Sequence, residues 1–325
     1  MSTYPKLSKP FFVLAPMDDV TDTVFRQIVA SCAAPDLYFT EFVNVDGLQS
    51  PGRPHLLPKL AFGPKETPII AQIWGKTPGN YYQTTKELKA MGFAGVDINM
   101  GCPAKTVVRN GCCSGLIDNR GLAGEIIKAT QEAAGDDFPV SVKTRLGLSS
   151  VDMTWPEFLL GFKLNMLTMH GRTRKQMSKV PADWDLIGQV RELRDRISPT
   201  TLMVGNGDVT SRQHGLELAA KYKLDGIMVG RGLFEDPYLF SKDSPWPEQT
   251  RQQRIDLYKR HVKLFADTWQ HNERRIQTLN KFCKVYISGF DGAKELREQL
   301  MDANSTDQLL SLLDAVPSAP VGHLG

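Results

Sequence analysis

No apolar run in this 325-residue chain approaches the roughly 20 residues that a membrane-spanning helix needs, so none is expected. Cysteine is scarce, with five residues, an odd number, and no C-x2-C pair; histidine numbers six. That spacing disfavours a zinc knuckle. The opening MSTYPKLSKP has no apolar run after its lysines and does not read as a signal peptide. A reducing cytoplasm is therefore the expected setting, and structural disulfides are not expected there. Neither sign of charge dominates: a net charge of +3 permits a nucleic-acid partner without demanding one. There is no low-complexity tract. The first apolar run is not followed by a GxGxxG turn, which weakens an open dinucleotide-binding sheet.

What is present is alternation. Short apolar, β-branched runs at residues 11–17, 37–42, 69–75, 95–102, 139–147, 164–171, 201–209 and 225–232 are separated by amphipathic segments such as GNYYQTTKELKAMG. Near-continuous apolar strands imply burial on both faces and parallel pairing. Eight strand–helix units predict an α/β fold, a (β/α)8 TIM barrel, over residues 1–243. Residues 241–253 are polar with two prolines and read as a linker. Helices are expected at 254–271, 274–287, 293–303 and 306–315, with NST at 304–306 as a cap. They predict a small all-helical C-terminal domain over 250–316. The ending VPSAPVGHLG is expected to be loose.

Polar residues and glycines gather where the runs end: Met17 and Asp18, Glu41, Gln72, Asn99 and Cys102, Lys143 and Arg145, His170 and Arg172, Asn206 to Asp208, Gly230 and Arg231. In a barrel the C-terminal ends of the strands form the catalytic face. VGNGDV and VGRGLF close the last two runs, where barrels often bind phosphate through backbone N–H groups, and Arg231 adds charge. The plainer reading is that these glycines only turn the chain. Lys143 alternates to the same side as Ser141 and Arg145. An inward lysine calls for an anion or a polar cofactor, or for a structural ion pair with Asp97 or Glu41.

The segment INMGCPAKTVVRNGCCSGLI holds three of the five cysteines, and nine residues separate Cys102 from the adjacent pair Cys112 and Cys113. With LAPMDDVTDTVFR, AQIWG, SVKTRLG, MHGRTR…ADW, GNGD and VGRG, it resembles the ordered motif set of the tRNA-dihydrouridine synthases. The likeness spans the barrel and continues more weakly into KFCKVYISGFDGAKELREQL. The resemblance implies an FMN enzyme that reduces the C5=C6 bond of a tRNA uridine, with NADPH or NADH as electron donor and no obligatory protein partner. It implies Cys102 as the general acid that protonates C5. A thiol with an ordinary pKa of about 8.5 is mostly protonated at neutral pH and donates without activation. By the same resemblance Pro16, Met17, Asp18, Gln72, Lys143 and His170 are expected on the flavin ring. Asn206, Gly207, Asp208, Gly230 and Arg231 are expected on its ribityl chain and phosphate. Asn99, Arg109, Arg145, Arg172, Lys281 and Lys284 are expected on the substrate side, and no metal is implied.

Two stretches depart from the family pattern: Cys112 and Cys113 stand where alanine and glycine are common, and Ser178 and Val180 where tyrosine and glycine are common. The two cysteines read as buried small apolar residues. The tail run RRIQTLNKFCK carries four basic residues and no acid, with Lys281 and Lys284 on one helical face. Three other readings stay open on the residues alone. They are an FMN barrel acting on a free small molecule, of the dihydroorotate dehydrogenase type, an RNA-binding barrel without catalysis, and a barrel using Lys143 as a Schiff-base nucleophile.

Overall fold

A computed structural model describes residues 7–271 and 273–316; the expected loose ending, from residue 317 on, and most of the opening segment lie outside them. All eight expected strands are present: β1 (Phe11–Leu14), β2 (Tyr38–Asn44), β3 (Ile69–Trp74), β4 (Gly95–Met100), β5 (Val140–Arg145), β6 (Met166–His170), β7 (Leu202–Asn206) and β8 (Gly226–Val229). They pair in parallel in the order β1-β8-β7-β6-β5-β4-β3-β2. A parallel bridge from Val13 to Leu37, with the Leu14 N–H donating to the Leu37 carbonyl at 3.0 Å, brings β1 to β2 and closes the ring.

Helices Pro78–Ala90, Arg120–Ala134, Trp184–Ile197 and Arg212–Tyr222 are among those that cross between strands. The third begins at an Asp183 side chain that accepts the Leu186 N–H, and the last at Ser211, which accepts the His214 N–H. Gly215 shows how tightly such a helix lies on the sheet. A Cβ there would meet the Phe12 ring at 2.6 Å. Inside the barrel Phe11, Val13, Leu37, Phe39, Ile70, Met166, Val204 and Met228 form one buried apolar plug. This is the filled interior a small barrel requires.

The described residues divide into two compact units, 7–23 with 35–232, and 24–34 with 233–316. The change of unit after Gly232 precedes the sequence-based boundary at 243. In the second unit, helix Arg251–Thr268 starts three residues before the expected 254, because Thr250 and Gln253 form a reciprocal capping box. The expected linker is anchored: Trp246 is buried, stacks on Tyr238, and carries the Arg254 guanidinium 4.6 Å from its ring. The helix expected over 274–287 begins only at Ile276, as 3-10 turns Ile276–Leu279, and is α-helical over Asn280–Tyr286. Arg274 precedes it and lies over Trp269, so it does not share a helical face with Lys281. Ser305 caps helix Thr306–Asp314 as the NST stretch predicts.

Candidate active site

The site is assembled by strand register. Gln72 stands beside Asp97, Asn99 beside Lys143, Arg145 beside His170, and His170 beside Asn206 on neighbouring strands. Because side chains alternate along a strand, these groups share the interior face with the apolar plug, one layer nearer the C-terminal ends. The polar layer is thus a bowl on the face where barrels carry their chemistry.

Cys102 lies just past the end of β4. Asn99 Oδ1 accepts the backbone N–H groups of Gly101 and Cys102 at 3.0 and 2.9 Å. Asn99 Nδ2 donates to Gln72 Oε1 at 2.9 Å, and Gln72 Nε2 donates to Asp97 at 2.7 Å. Ser141 Oγ donates to the other Asp97 oxygen at 2.6 Å. Burial raises the Asp97 carboxyl to about 6, against these two hydrogen bonds and the nearby charge of Lys143. The Cys102 thiol is not of ordinary acidity. The Cys113 side chain, first among its neighbours, lowers it to about 6, with help from the Ala104 backbone and Arg145 and against burial and Asp18. The sequence expectation is of a thiol with ordinary acidity; its neighbours in the structure make it more acidic.

Lys143 is half-buried in the bowl. Its ammonium makes no hydrogen bond or ion pair among the described residues, so the structural ion pair with Asp97 or Glu41 is absent. Burial, then Arg145, lowers its pKa to about 8. His170 is held neutral, its pKa well below the usual value, by burial and by Lys143, Arg145, Arg172 and Arg231. Arg172 sits 3.1 Å from His170 Nε2. A guanidinium only donates, so Nε2 accepts and the ring proton belongs on Nδ1.

The arginines divide unexpectedly. Arg145 and Arg172, expected on the substrate, are buried. Arg145 donates to the carbonyls of Gly101, Thr173 and Met177, tying the Cys102 segment to the loop after β6. Arg172 donates to Val180, meets His170 and ion-pairs with Asp208. Asp208, expected on the phosphate, spends its carboxylate on Arg172, on Arg231 and on the Ala182 N–H. A carboxylate would repel a phosphate; here it positions two guanidiniums. Asn206 likewise spends its Nδ2 on the Met228 carbonyl at 2.9 Å. Gly207 has φ 141°, and a Cβ there would meet Ala182 at 2.5 Å. Gly230 lies under Met17, whose sulfur is 3.3 Å from the position a Cβ would take.

Pro16 and Met17 are half-buried beyond β1, and the turn is fixed by Thr21, which accepts the Met17 N–H at 2.9 Å. Asp18 is exposed and ion-pairs with Lys59. Asp18, Asp19 and Glu41 each bring an oxygen within 4.8 Å of the others, and the Lys59 ammonium already supplies a cation to all three. Arg109 is exposed at the end of the short helix Lys105–Arg109. In the second unit, Lys281 and Lys284 are exposed on one face of Asn280–Tyr286, while Phe282, Cys283, Val285 and Tyr286 are buried.

Sequence reasoning passed over Lys59, read Cys113 as a buried small apolar residue, which it is, and saw Asp97 only as an ion-pair partner. The Asp97 role had a signal, since the alternation of GVDINM puts it on the side of Asn99. Lys59 had none, because it arrives on a short 3-10 turn, Leu57–Leu60, between strands.

Comparison with known proteins agrees with this geometry. The family model described as dihydrouridine synthase (Dus) matches residues 13–319. A probable tRNA-dihydrouridine synthase of Staphylococcus aureus is 44% identical over 314 residues, covering 96% of this chain and 94% of its own. A probable tRNA-dihydrouridine synthase 2 of Bacillus subtilis is 44% identical over 312 residues, covering 95% and 94%. Among solved structures, a morphinone reductase superposes with a TM-score of 0.51 at 13% identity, covering 76% of this chain and 92% of that one. A histamine dehydrogenase from Rhizobium sp. 4-9 gives 0.53 at 14%, covering 78% and 48%. At such identities these structures speak for the barrel fold alone. Sequence likeness carried through nearly the whole length places the chain in the dihydrouridine synthase family.

Proposed function

We propose that this chain is an FMN-dependent tRNA-dihydrouridine synthase that takes electrons from NADPH and reduces the C5=C6 bond of a uridine in tRNA. The observation that carries this reading is the placing, in one bowl, of a Lys143 ammonium that has no partner among the described residues and the Cys102 thiol just past the end of the neighbouring strand β4. The bowl fits a flavin. Lys143 offers a positive charge where a reduced isoalloxazine gains negative charge. The Nδ1–H of neutral His170 and the second Nε2 hydrogen of Gln72 are left for ring acceptors. Backbone at Gly207, where a Cβ would meet Ala182 at 2.5 Å, and at Gly230, together with the half-exposed Arg231, would meet the phosphate.

Bound there, reduced FMN would supply hydride chemistry at C6 of the uracil ring. Cys102, in its protonated form, then donates the S–H proton to C5 and keeps the electron pair as a thiolate, which must regain a proton before the next turnover. Asn99 fixes the backbone from which that thiol projects. Arg109, together with Lys281 and Lys284 of the segment 250–316, supplies positive charge for the RNA backbone.

Denaturing the purified protein should release FMN. Pre-reduced enzyme should be reoxidised in a single turnover by unmodified tRNA, with dihydrouridine formed. Cys102→Ala should keep the flavin and its reduction by NADPH but lose about 10²–10⁴-fold in reoxidation by tRNA. Release of FAD, or reoxidation by a free dihydroorotate-type small molecule and not by tRNA, would end this reading.

A further inference from the structure

We propose that the loop after β6, residues 171–183, is a fixed prong that holds the RNA strand beside the target uridine, with Lys175 and Lys179 on its phosphates and Met177 against a neighbouring base. The inference rests on the tRNA reading and goes beyond it by naming the residues that grip the strand next to the reacting base.

The loop is closed at its ends, where the Asp183 N–H donates to the Gly171 carbonyl at 2.7 Å. Compact surface loops with adjoining ends are frequently functional. Two buried arginines hold this one from below. Arg145 donates to the carbonyls of Thr173 and Met177 at 3.2 and 3.1 Å, and Arg172 to that of Val180 at 2.6 Å. The Arg174 and Lys175 N–H groups donate to the carbonyls of Gly147 and Leu148, each at 2.9 Å. The Thr173 N–H donates to Gln176 Oε1 at 2.7 Å. Met177 has φ 52°, a left-handed backbone that persists only where surrounding contacts over-determine it.

Arginines also fix where the loop stands. Arg145 Nε donates to the Gly101 carbonyl at 2.7 Å, and Arg174 Nε to the Pro103 carbonyl at 3.3 Å. Those two residues flank Cys102, so the loop keeps a set place beside the proposed proton donor. An enzyme that does chemistry on a base takes that base out of its stack. With the uracil in the bowl, its neighbours along the strand lie at the rim, where this loop stands.

Because its backbone is spent on the barrel, the loop turns its side chains to solvent. Lys175 and residues 177–180 are exposed, Met177 by 43% and Val180 by 39%. The stretch RTRKQMSKVP, residues 172–181, carries four basic residues and no acid. Arg172 is committed to Asp208 and Arg174 to Pro103, whereas Lys175 and Lys179 make no hydrogen bond or ion pair among the described residues. A single exposed apolar side chain needs no explanation. Here Met177 stands between two uncommitted ammonium groups at the rim of the site. That combination matches a strand in which phosphates alternate with unstacked bases. Methionine is unbranched and polarizable, and apolar side chains of this kind serve as wedges against bases.

The test is equilibrium binding of unmodified tRNA to the oxidised holoprotein over a range of salt. Lys175→Ala combined with Lys179→Ala should weaken binding about 10-fold and lower the slope of log K against log salt by about 1.4–1.8, roughly 0.7–0.9 per phosphate. Met177→Ala should weaken binding about 10-fold with the slope unchanged, and Met177→Leu, which keeps an apolar side chain, should bind like wild type. Lys86→Ala combined with Lys128→Ala removes the same charge from exposed positions on the crossing helices and should lose far less. Retention of FMN in each variant reports an intact barrel. Wild-type affinity in the double lysine variant or in Met177→Ala overturns the proposal. So does an equal loss in the crossing-helix control, which would reduce the effect to net charge. Wild-type protein that neither binds tRNA nor is reoxidised by it would remove the tRNA reading and this inference together; normal wild-type binding with unchanged loop variants would remove the prong alone.

Discussion

Asn99 and Cys102 are joined through the backbone: the Asn99 Oδ1 atom accepts the Cys102 N–H at 2.9 Å and the preceding Gly101 N–H at 3.0 Å. The same side chain reaches through Gln72 to Asp97, so the reactive segment is tied to the buried centre of β3 and β4. Preorganisation of this kind places a thiol without holding the thiol itself.

Asn99→Ala leaves two N–H groups without their acceptor, and each unmet buried group costs about 1–3 kcal/mol. Reoxidation of the pre-reduced enzyme by tRNA should fall about 10–100-fold while flavin is retained. Asn99→Asp keeps the acceptor and should lose less. A wild-type rate in the Ala variant would show that Cys102 does not depend on this tether.

Asp97 sets a stability window. Its folded pKa of about 6 stands above the roughly 3.9 of an unfolded chain, so the folded protein holds the proton more tightly. As pH rises from about 4 to about 6 the folded state gives up that proton at a cost, and the residue's contribution to stability falls before levelling above about 6. Asp97→Asn removes the titration. Its stability relative to wild type should improve between pH 4 and pH 7 by on the order of 2–3 kcal/mol, measured by urea unfolding at both pH values. A difference independent of pH would place the ionisation elsewhere.

Lys281 and Lys284 share the exposed face of Asn280–Tyr286. Reversing both to Glu should weaken tRNA binding and reduce the slope of log K against log salt by about 1 for each phosphate that is no longer neutralised. Flavin reduction by NADPH should be untouched. Unchanged binding with impaired flavin reduction would make this helix structural.

The strands were legible because burial on both faces writes itself as short β-branched runs. Lys143 and His170 were legible because polar groups end those runs. Arg145 and Arg172, expected on the substrate, spend hydrogen bonds on neighbouring loops, which the sequence does not reveal for an equally physical reason. A guanidinium near a strand end looks the same in sequence whether it meets RNA or, as here, carbonyls of neighbouring loops. Asp208 beside two glycines looked like part of a phosphate loop until its partners, Arg172 and Arg231, were in place.

The sequence by itself determined the eight-stranded barrel, the face that carries the polar groups, and the family motifs around Cys102, since periodicity and local spacing are properties of neighbours along the chain. Only the tertiary structure decided which charges cancel and which remain. It set Lys59 on three carboxylates, left the Lys143 ammonium without a partner among the described residues, and brought Ser114 back onto the Cys102 carbonyl. Acidity depends on burial and on groups a few ångströms away in space, and loops choose those groups without regard to distance along the sequence.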